Sequence, residues 1–346
     1  MTRVFVVDDS AFIRKALARV LKVEPGLRLV GEAASGPEAM EKIPEADPDL
    51  VTLDIAMPGM DGRQVLRALL RWKPSLKVVM LSAHTSEGAV ATIEALAAGA
   101  VDFIDKTSFN LMDLDTLRRE VIEKLKILSS NGSKSAAPQQ TVPAGNDHSA
   151  KLAAAGRCEL CVIGASTGGP LAIQRILERM PADFPLPIVI VQHMPAGFTQ
   201  PFADRLRRLS RLQVSEAVEG DRLSPGRVLV APAGRHLRIT SSLGVVLAAE
   251  PADAKHIPSV DVTMRSAARS RPGRVLGILL TGMGNDGAEG MGTIRASGGF
   301  TIGESEASCV VYGMPRAAEM REAVNCMLPL TEIIAFLERL ASVGGG

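Results

Sequence analysis

Three polar residues in the second half of the chain each stand just past an apolar run. They are Ser166 in "CVIGASTGGP", His193 in "PIVIVQHMPAGF" and Asp286 in "RVLGILLTGMGNDGAEG". A serine hydroxyl becomes a nucleophile only when a base takes its proton, and the base needs a carboxylate to orient it. By itself the Ser166 stretch admits three readings: a nucleophile, an anion-binding loop, or a hydroxyl in a tight turn. Gly164, Ser166 and Gly168 meet the G-x-S-x-G spacing of a nucleophile elbow. The strand is predicted to end near Ile163 and a helix to begin near Gly169 or Pro170, because proline at a first helical position needs no backbone donor. Free N–H groups at such a helix start could steady an oxyanion. The stretch lacks the Lys-Ser/Thr of a P-loop and the G-x-G-x-x-G spacing of a dinucleotide site. Among the histidines of this half, His193 sits at a strand end. His236 and His256 lie in loop-like or mixed segments and fit either a satisfied hydrogen-bonding histidine or a substrate contact. Asp183, Asp204, Asp221, Asp253 and Asp261 also offer carboxylates, but Asp286 follows a strand in a glycine-rich loop. The plainer use of Asp286 is as the N-cap of the next helix. The chain order Ser, His, Asp is no objection, since triads are defined by geometry.

The first half carries a second constellation. Asp8 and Asp9 close "VFVVDD", Asp54 closes "LVTLD", Ser82 closes "VVMLS" and Lys106 follows "VDFID". Three carboxylates make a hard oxygen site suited to Mg²⁺. A nearby lysine offsets the charge of an incoming phosphoryl group, and a carboxylate can itself be the nucleophile that becomes an aspartyl phosphate. Any one of these residues alone would be a turn cap. Five polar groups at the ends of four strands point to a site.

The elements that must position these groups are legible as alternating strands and helices. In the first half "RVFVVDD", "RLVGEAA", "LVTLD", "KVVMLSA" and "VDFID" read as strands, and "SAFIRKALARVLK" as a helix capped by Ser10. Continuous Val/Leu/Ile runs fit parallel strands covered on both faces. The second half resumes the alternation with "LCVIGAS", "PIVIVQH", "RVLVAP", "GVVLAAE" and "RVLGILLTG", with some antiparallel strands expected in the middle. Functional groups of such sheets gather at the C-terminal strand ends. The fold class is therefore α/β, two doubly wound domains. Between them "SSNGSKSAAPQQTVPAGNDHSAKLAAAG" has no apolar period and reads as a flexible linker. The boundaries expected are 1–125, a linker over 126–156, and 157–346.

Composition narrows the function classes. A length of 346 residues fits two domains, and a net charge of +1 supplies no basic field for nucleic acid. No apolar run approaches the roughly 20 residues of a membrane span, and "MTRVFVVDDS" does not read as a signal peptide. The expectation is a soluble, cytoplasmic protein without direct membrane insertion. Cys158 and Cys161 form a lone C-x-x-C, read as strand packing rather than metal or redox chemistry. The basic stretches "RLRRLSR" and "RSAARSRPGR" read as solvated helix faces.

Both halves resemble known families. Through "VVDDS", "LDIAMPGMDG", "MLSAHT" and "GAVDFIDK", residues 1–125 resemble the flavodoxin-like receiver domain of bacterial response regulators. That resemblance implies that Asp54 is the phosphoacceptor and that Asp8, Asp9 and Asp54 hold Mg²⁺. It implies that Ser82 and Lys106 contact the phosphoryl group and that Phe103 is the aromatic that reorients. One departure is Thr107, where receivers usually carry proline. Through "GASTGGP", "QHMPAGFT", "APAGRHLRI", "PSVDV", "LTGMGNDGA" and "YGMPRAA", the second half resembles the catalytic domain of chemotaxis protein-glutamate methylesterases. The resemblance covers nearly the whole chain. It implies a parallel-sheet α/β hydrolytic domain with Ser166, His193 and Asp286 as its triad. It also implies Met283 N–H in the oxyanion hole, Thr167 and Met194 lining the site, and no cofactor for the esterase.

The activity so implied is phosphorylation-activated hydrolysis of glutamyl methyl esters on methyl-accepting chemoreceptors, releasing methanol, with deamidation of receptor glutamines as a second activity. A chemotaxis histidine kinase would be the phosphodonor. The tethered layout suggests that the unphosphorylated receiver masks the triad cleft. Two other classes remain on the residues alone: a receiver-gated binding module whose Ser166 loop holds an anion, and a receiver-controlled transcription factor. The second has no recognisable DNA-reading motif to support it.

Overall fold

The computed structural model describes residues 1–83, 85–106, 121–130 and 147–343. The chain divides into two compact units, Met1–Ser133 and Lys134–Gly346.

The first unit runs β1 (Thr2–Val7), α1 (Ala11–Lys22), β2 (Leu27–Ala33), α2 (Gly36–Ala46), β3 (Leu50–Asp54), α3 (Gly62–Trp72), β4 (Lys77–Ser82), α4 (Ser86–Ala97), β5 (Asp102–Asp105) and α5 (Glu123–Ser130). Its five strands are parallel in the order β2-β1-β3-β4-β5, a doubly wound arrangement. All five residues of β3 are buried, as expected of a central strand covered on both faces. Ser10 caps α1 by accepting from Ile13 N–H, as the sequence predicts. The reversal of strand order between β1 and β3 opens a crevice at their C-terminal ends, where Asp8, Asp9 and Asp54 stand.

The second unit runs α6 (Asp147–Ala155), β6 (Leu160–Ala165), α7 (Gly169–Arg179), β7 (Ile188–Gln192), α8 (Thr199–Leu209), β8 (Gln213–Glu216), β9 (Arg227–Val230), β10 (His236–Ile239), β11 (Val245–Ala248), α9 (Val260–Ser270), β12 (Val275–Leu279), α10 (Ala288–Ala296), β13 (Phe300–Glu304), α11 (Met314–Met320), β14 (Cys326–Leu328) and α12 (Leu330–Val343). Seven strands form one parallel sheet in the order β14-β13-β12-β6-β7-β9-β8. The antiparallel pair β10–β11 stands apart from it, as expected. From β6 the chain builds outward through β7, then returns to the other side of β6 with β12. The crevice therefore lies over β12, β6 and β7.

Several expectations are corrected. The segment expected as linker is narrower than 126–156, because α5 continues to Ser130 with Leu128 buried, and α6 begins at Asp147 with Ala155 buried. Residues 131–146 lie outside the described residues, as does Thr107. The strand before Ser166 ends at Ala165, not Ile163, because Gly164 and Ala165 still pair with Val191 and Gln192. β8, β10, β13 and β14 were not read from the sequence; they have 4, 4, 5 and 3 residues. Cys158 and Cys161 are buried and free, as expected of packing residues, and burial pushes the Cys158 thiol up to about 11.

Candidate functional site

Ser166 follows β6, His193 follows β7, and Asp286 lies in the loop after β12. Pairing of Ala165 with Gln192 sets Ser166 and His193 side by side, and His193 N–H donates to Ala165 C=O at 3.1 Å. Ser166 opens a three-residue turn that ends at Gly168, whose φ of +79° is left-handed. A side chain at Gly168 would also collide with Val310, so glycine is required there on two counts. Gln192 donates to the carbonyls of both Ser166 (2.9 Å) and His193 (3.1 Å), tying the two strand ends together.

His193 and Asp286 are joined directly, with Nε2 2.7 Å from Oδ2. The Asp286 carboxylate also accepts from Ser259 Oγ–H (2.9 Å), Val260 N–H (2.7 Å) and Asp261 N–H (3.0 Å). Burial alone would raise its pKa. The bond from His193, the charge of that ring and the N–H groups of Asp261 and Val260 outweigh burial and hold the carboxyl well below the usual range. Asp286 is thus an ionised acceptor, so His193 donates from Nε2 and Nδ1 is the nitrogen left to accept a proton. That nitrogen is buried and makes no hydrogen bond, to Ser166 or to any other group.

Asp286 is a helix cap, but not of the helix that follows it. The residue before α10 is Gly287, which forms no side-chain cap bond. Asp286 instead accepts from the N-terminus of α9. Asp261, in the first turn of α9, returns the favour by accepting from Gly290 N–H in α10 at 2.7 Å. Burial, reinforced by the charge of Asp286, pushes Asp261 up to about 6 despite that bond.

Sequence reasoning missed the residues that brace this edge. Thr281 C=O accepts from Ser166 N–H (3.1 Å), and Thr281 Oγ donates to Thr167 C=O (2.9 Å). Thr281 N–H in turn donates to Glu304, a fully buried glutamate at the end of β13 whose pKa burial raises. Gly282 packs so closely that a Cβ there would lie 2.8 Å from Ser166 Cβ, which carries Met283 to the same edge. Thr167 and Met194 are buried beside their neighbours Ser166 and His193. His236 is a satisfied histidine: Nδ1 accepts from Ser259 N–H (3.1 Å) and Nε2 donates to Pro251 C=O (3.0 Å). His256 lies flat on His193, with ring centroids 4.1 Å apart and planes 18° apart. Only a buried His with partners distant in sequence could have signalled these roles, and no local pattern carries that.

In the first unit Lys106 Nζ bridges Asp8 (2.8 Å) and Asp54 (2.7 Å). Burial pushes Asp54 up to about 6, with Lys106 opposing that rise. Asp8, Asp9 and Asp54 can each offer an oxygen within 4.8 Å of the others. Asp54 Oδ2 is buried without a hydrogen bond. An all-carboxylate donor set with an unmatched buried oxygen fits a divalent hard cation. The Thr92 hydroxyl donates to Gly88 C=O, so Ser82 is the donor in its 2.6 Å bond to Thr92. Phe103 is buried, with Lys124 Nζ 5.5 Å from its ring centre.

Comparison with known proteins matches residues 161–337 to the CheB methylesterase family and residues 4–118 to the response regulator receiver domain. A protein-glutamate methylesterase/protein-glutamine glutaminase of Myxococcus xanthus is 44% identical over 341 residues, covering 97% of both chains. Another, from Carboxydothermus hydrogenoformans, is 46% identical over 336 residues and covers 96% of each. The crystal structure of the Thermotoga maritima CheB methylesterase catalytic domain aligns at 38% identity with a TM-score of 0.51. It covers 53% of this chain and 98% of that one.

Proposed function

We propose a residue-level mechanism from the premise that this chain belongs to the CheB methylesterase family, with a response regulator receiver domain ahead of its catalytic domain. Its activity is hydrolysis of glutamyl methyl esters on chemoreceptors and deamidation of receptor glutamines, in chemotaxis. Ser166 Oγ attacks the ester carbonyl while His193 Nδ1 takes its proton. Asp286 keeps the imidazole in the tautomer with hydrogen on Nε2 and stabilises the imidazolium. The N–H of Met283 faces the developing oxyanion. His193 returns its proton to the departing methoxide, giving methanol. It then deprotonates a water that cleaves the acyl-serine to leave a glutamate. With a glutamine the leaving group is ammonia.

The receiver supplies control. Asp54 accepts a phosphoryl group from a histidine kinase, and Lys106 pairs with the added charge. Asp8, Asp9 and Asp54 would hold Mg²⁺, which when bound neutralises phosphoryl oxygens. Ser82 would turn from Thr92 to the phosphoryl group, and Phe103 would reorient with it. Phosphorylation of Asp54 raises the esterase activity. We place the protein in the cytoplasm; among the described residues no helix is long and apolar enough to cross a membrane.

The observation that carries this reading is the 2.7 Å His193–Asp286 bond at the strand ends flanking the Ser166 turn. Ser166→Ala should abolish methanol release from methylated receptor. Under a binding-module reading it would leave function intact.

A further inference from the structure

We infer that His256 is a positioning residue for the triad, holding the imidazole of His193 in plane by lying flat against its face. The inference rests on the triad reading above. The bond from Nε2 to Asp286 fixes one corner of the His193 ring. It does not by itself stop the ring from tilting, and the opposite nitrogen, Nδ1, is buried with no hydrogen bond to hold it. Nδ1 is the atom that must meet the Ser166 hydroxyl. A flat contact at 4.1 Å and 18° restrains the tilt that the hydrogen bond leaves open.

The partner is suited to a ring that gains charge during the reaction. Burial, and then the nearby His193 charge, push His256 down to about 4, so it stays neutral near pH 7. A neutral aromatic face is compatible with an imidazolium beside it, whereas a second cation would repel it.

The loop that carries His256 is built to hold it still. It joins β11 to α9, and the buried His236 binds it at Pro251 and at Ser259. Arg238 adds a bond to Glu250 C=O at 2.6 Å. The same loop ends in Ser259, whose hydroxyl donates to Asp286. One loop therefore braces both the base and its orienter, His256 against the ring and Ser259 against the carboxylate.

The test measures kcat and KM for methanol release from methylated receptor by the full chain, with thermal melting as the control for folding. His256→Ala should lower kcat about 10- to 30-fold, the scale of a misplaced catalytic group, with KM changed less than about twofold. His256→Phe, which keeps a flat ring and removes both nitrogens, should restore kcat to within about threefold of wild type. Should His256→Ala melt at a much lower temperature, His256→Leu fills the space without a flat face and should show the same kcat loss. The proposal is overturned if the folded Ala or Leu variant raises KM alone, or matches wild type. It is equally overturned if a folded His256→Phe is as slow as Ala, since the nitrogens would then be what matters. Ser166→Ala, run in parallel, separates the two claims: full methanol release there sinks the triad itself, whereas its loss beside wild-type behaviour of the His256 variants sinks only the stacking role.

Discussion

Asp54 is buried and Asp286 half-buried, both are carboxylates at or past the C-terminal ends of parallel strands, and they are prepared for opposite tasks. Asp286 accepts from four donors: the His193 ring, the Ser259 hydroxyl and two helix N–H groups. Its charge is fully matched, its pKa is depressed, and it cannot be spared as a nucleophile. Asp54 has Lys106 and one backbone N–H, from Ala56, on the same oxygen, and its other oxygen is left bare. Burial wins there and its pKa rises to about 6. The difference shows how a fold decides whether a buried carboxylate is a fixed post or a reactive group: by the number of donors aimed at it.

Removing the post should have the largest effect. Asp286→Asn keeps the shape but cannot sustain the imidazolium, and kcat for methanol release should fall about 10³- to 10⁴-fold. A loss under tenfold would mean that Asp286 is merely a helix cap. Next, a small phosphodonor should raise the esterase rate and Asp54→Asn should abolish that rise; a variant that is still stimulated would place the phosphoacceptor elsewhere. Thinning the donors around Asp286 should do less. Ser259→Ala removes one of four and also the α9 cap, so we expect about a 3- to 10-fold drop in kcat and about 1 kcal/mol of stability.

The smallest effect concerns pH. Because the folded pKa of Asp54 lies above its unfolded value, the native state binds more protons between about pH 4 and 6. Ionisation of Asp54 therefore removes stability as pH rises through that window. The loss is on the order of 1–3 kcal/mol, visible as a fall in the receiver melting transition between pH 4 and 7. Asp54→Asn should flatten it. In the catalytic unit the depressed values of His256 and Asp286 contribute stability that is lost as pH falls from about 6.5 through 4 and below, whereas the raised values of Asp261 and Glu304 contribute stability that is lost as pH rises. A receiver trend that survives Asp54→Asn would contradict its assignment to Asp54.

The Asp54 pocket was legible in the sequence because each of its groups closes an apolar run. A parallel sheet brings such ends together whatever the details. The same logic placed Ser166 and His193. It reached Asp286 but misjudged its setting, because the helix it caps begins 26 residues earlier in the chain, at Val260. That cap exists only because α9 and α10 present their N-termini to each other, each receiving a carboxylate from the other's segment. Thr281 and Glu304 were illegible for the same reason: they meet each other across 23 residues, and Thr281 meets Thr167 across 114. The strands β8, β10, β13 and β14 escaped because, unlike β7 or β9, they lack a continuous Val/Leu/Ile run: β8 reads QVSE, β10 HLRI, β13 FTIGE and β14 CML.

The central claim is that the His193–Asp286 pair makes Ser166 a nucleophile. The most direct measurement is the rate at which a fluorophosphonate, a serine-directed phosphonylating reagent, modifies the peptide carrying Ser166 in the full chain, read by mass spectrometry. The account predicts one modification per chain, on Ser166, slowed at least a hundredfold in Asp286→Asn. A protein that releases methanol yet leaves Ser166 unmodified, or that is labelled equally fast without the Asp286 carboxylate, would contradict it.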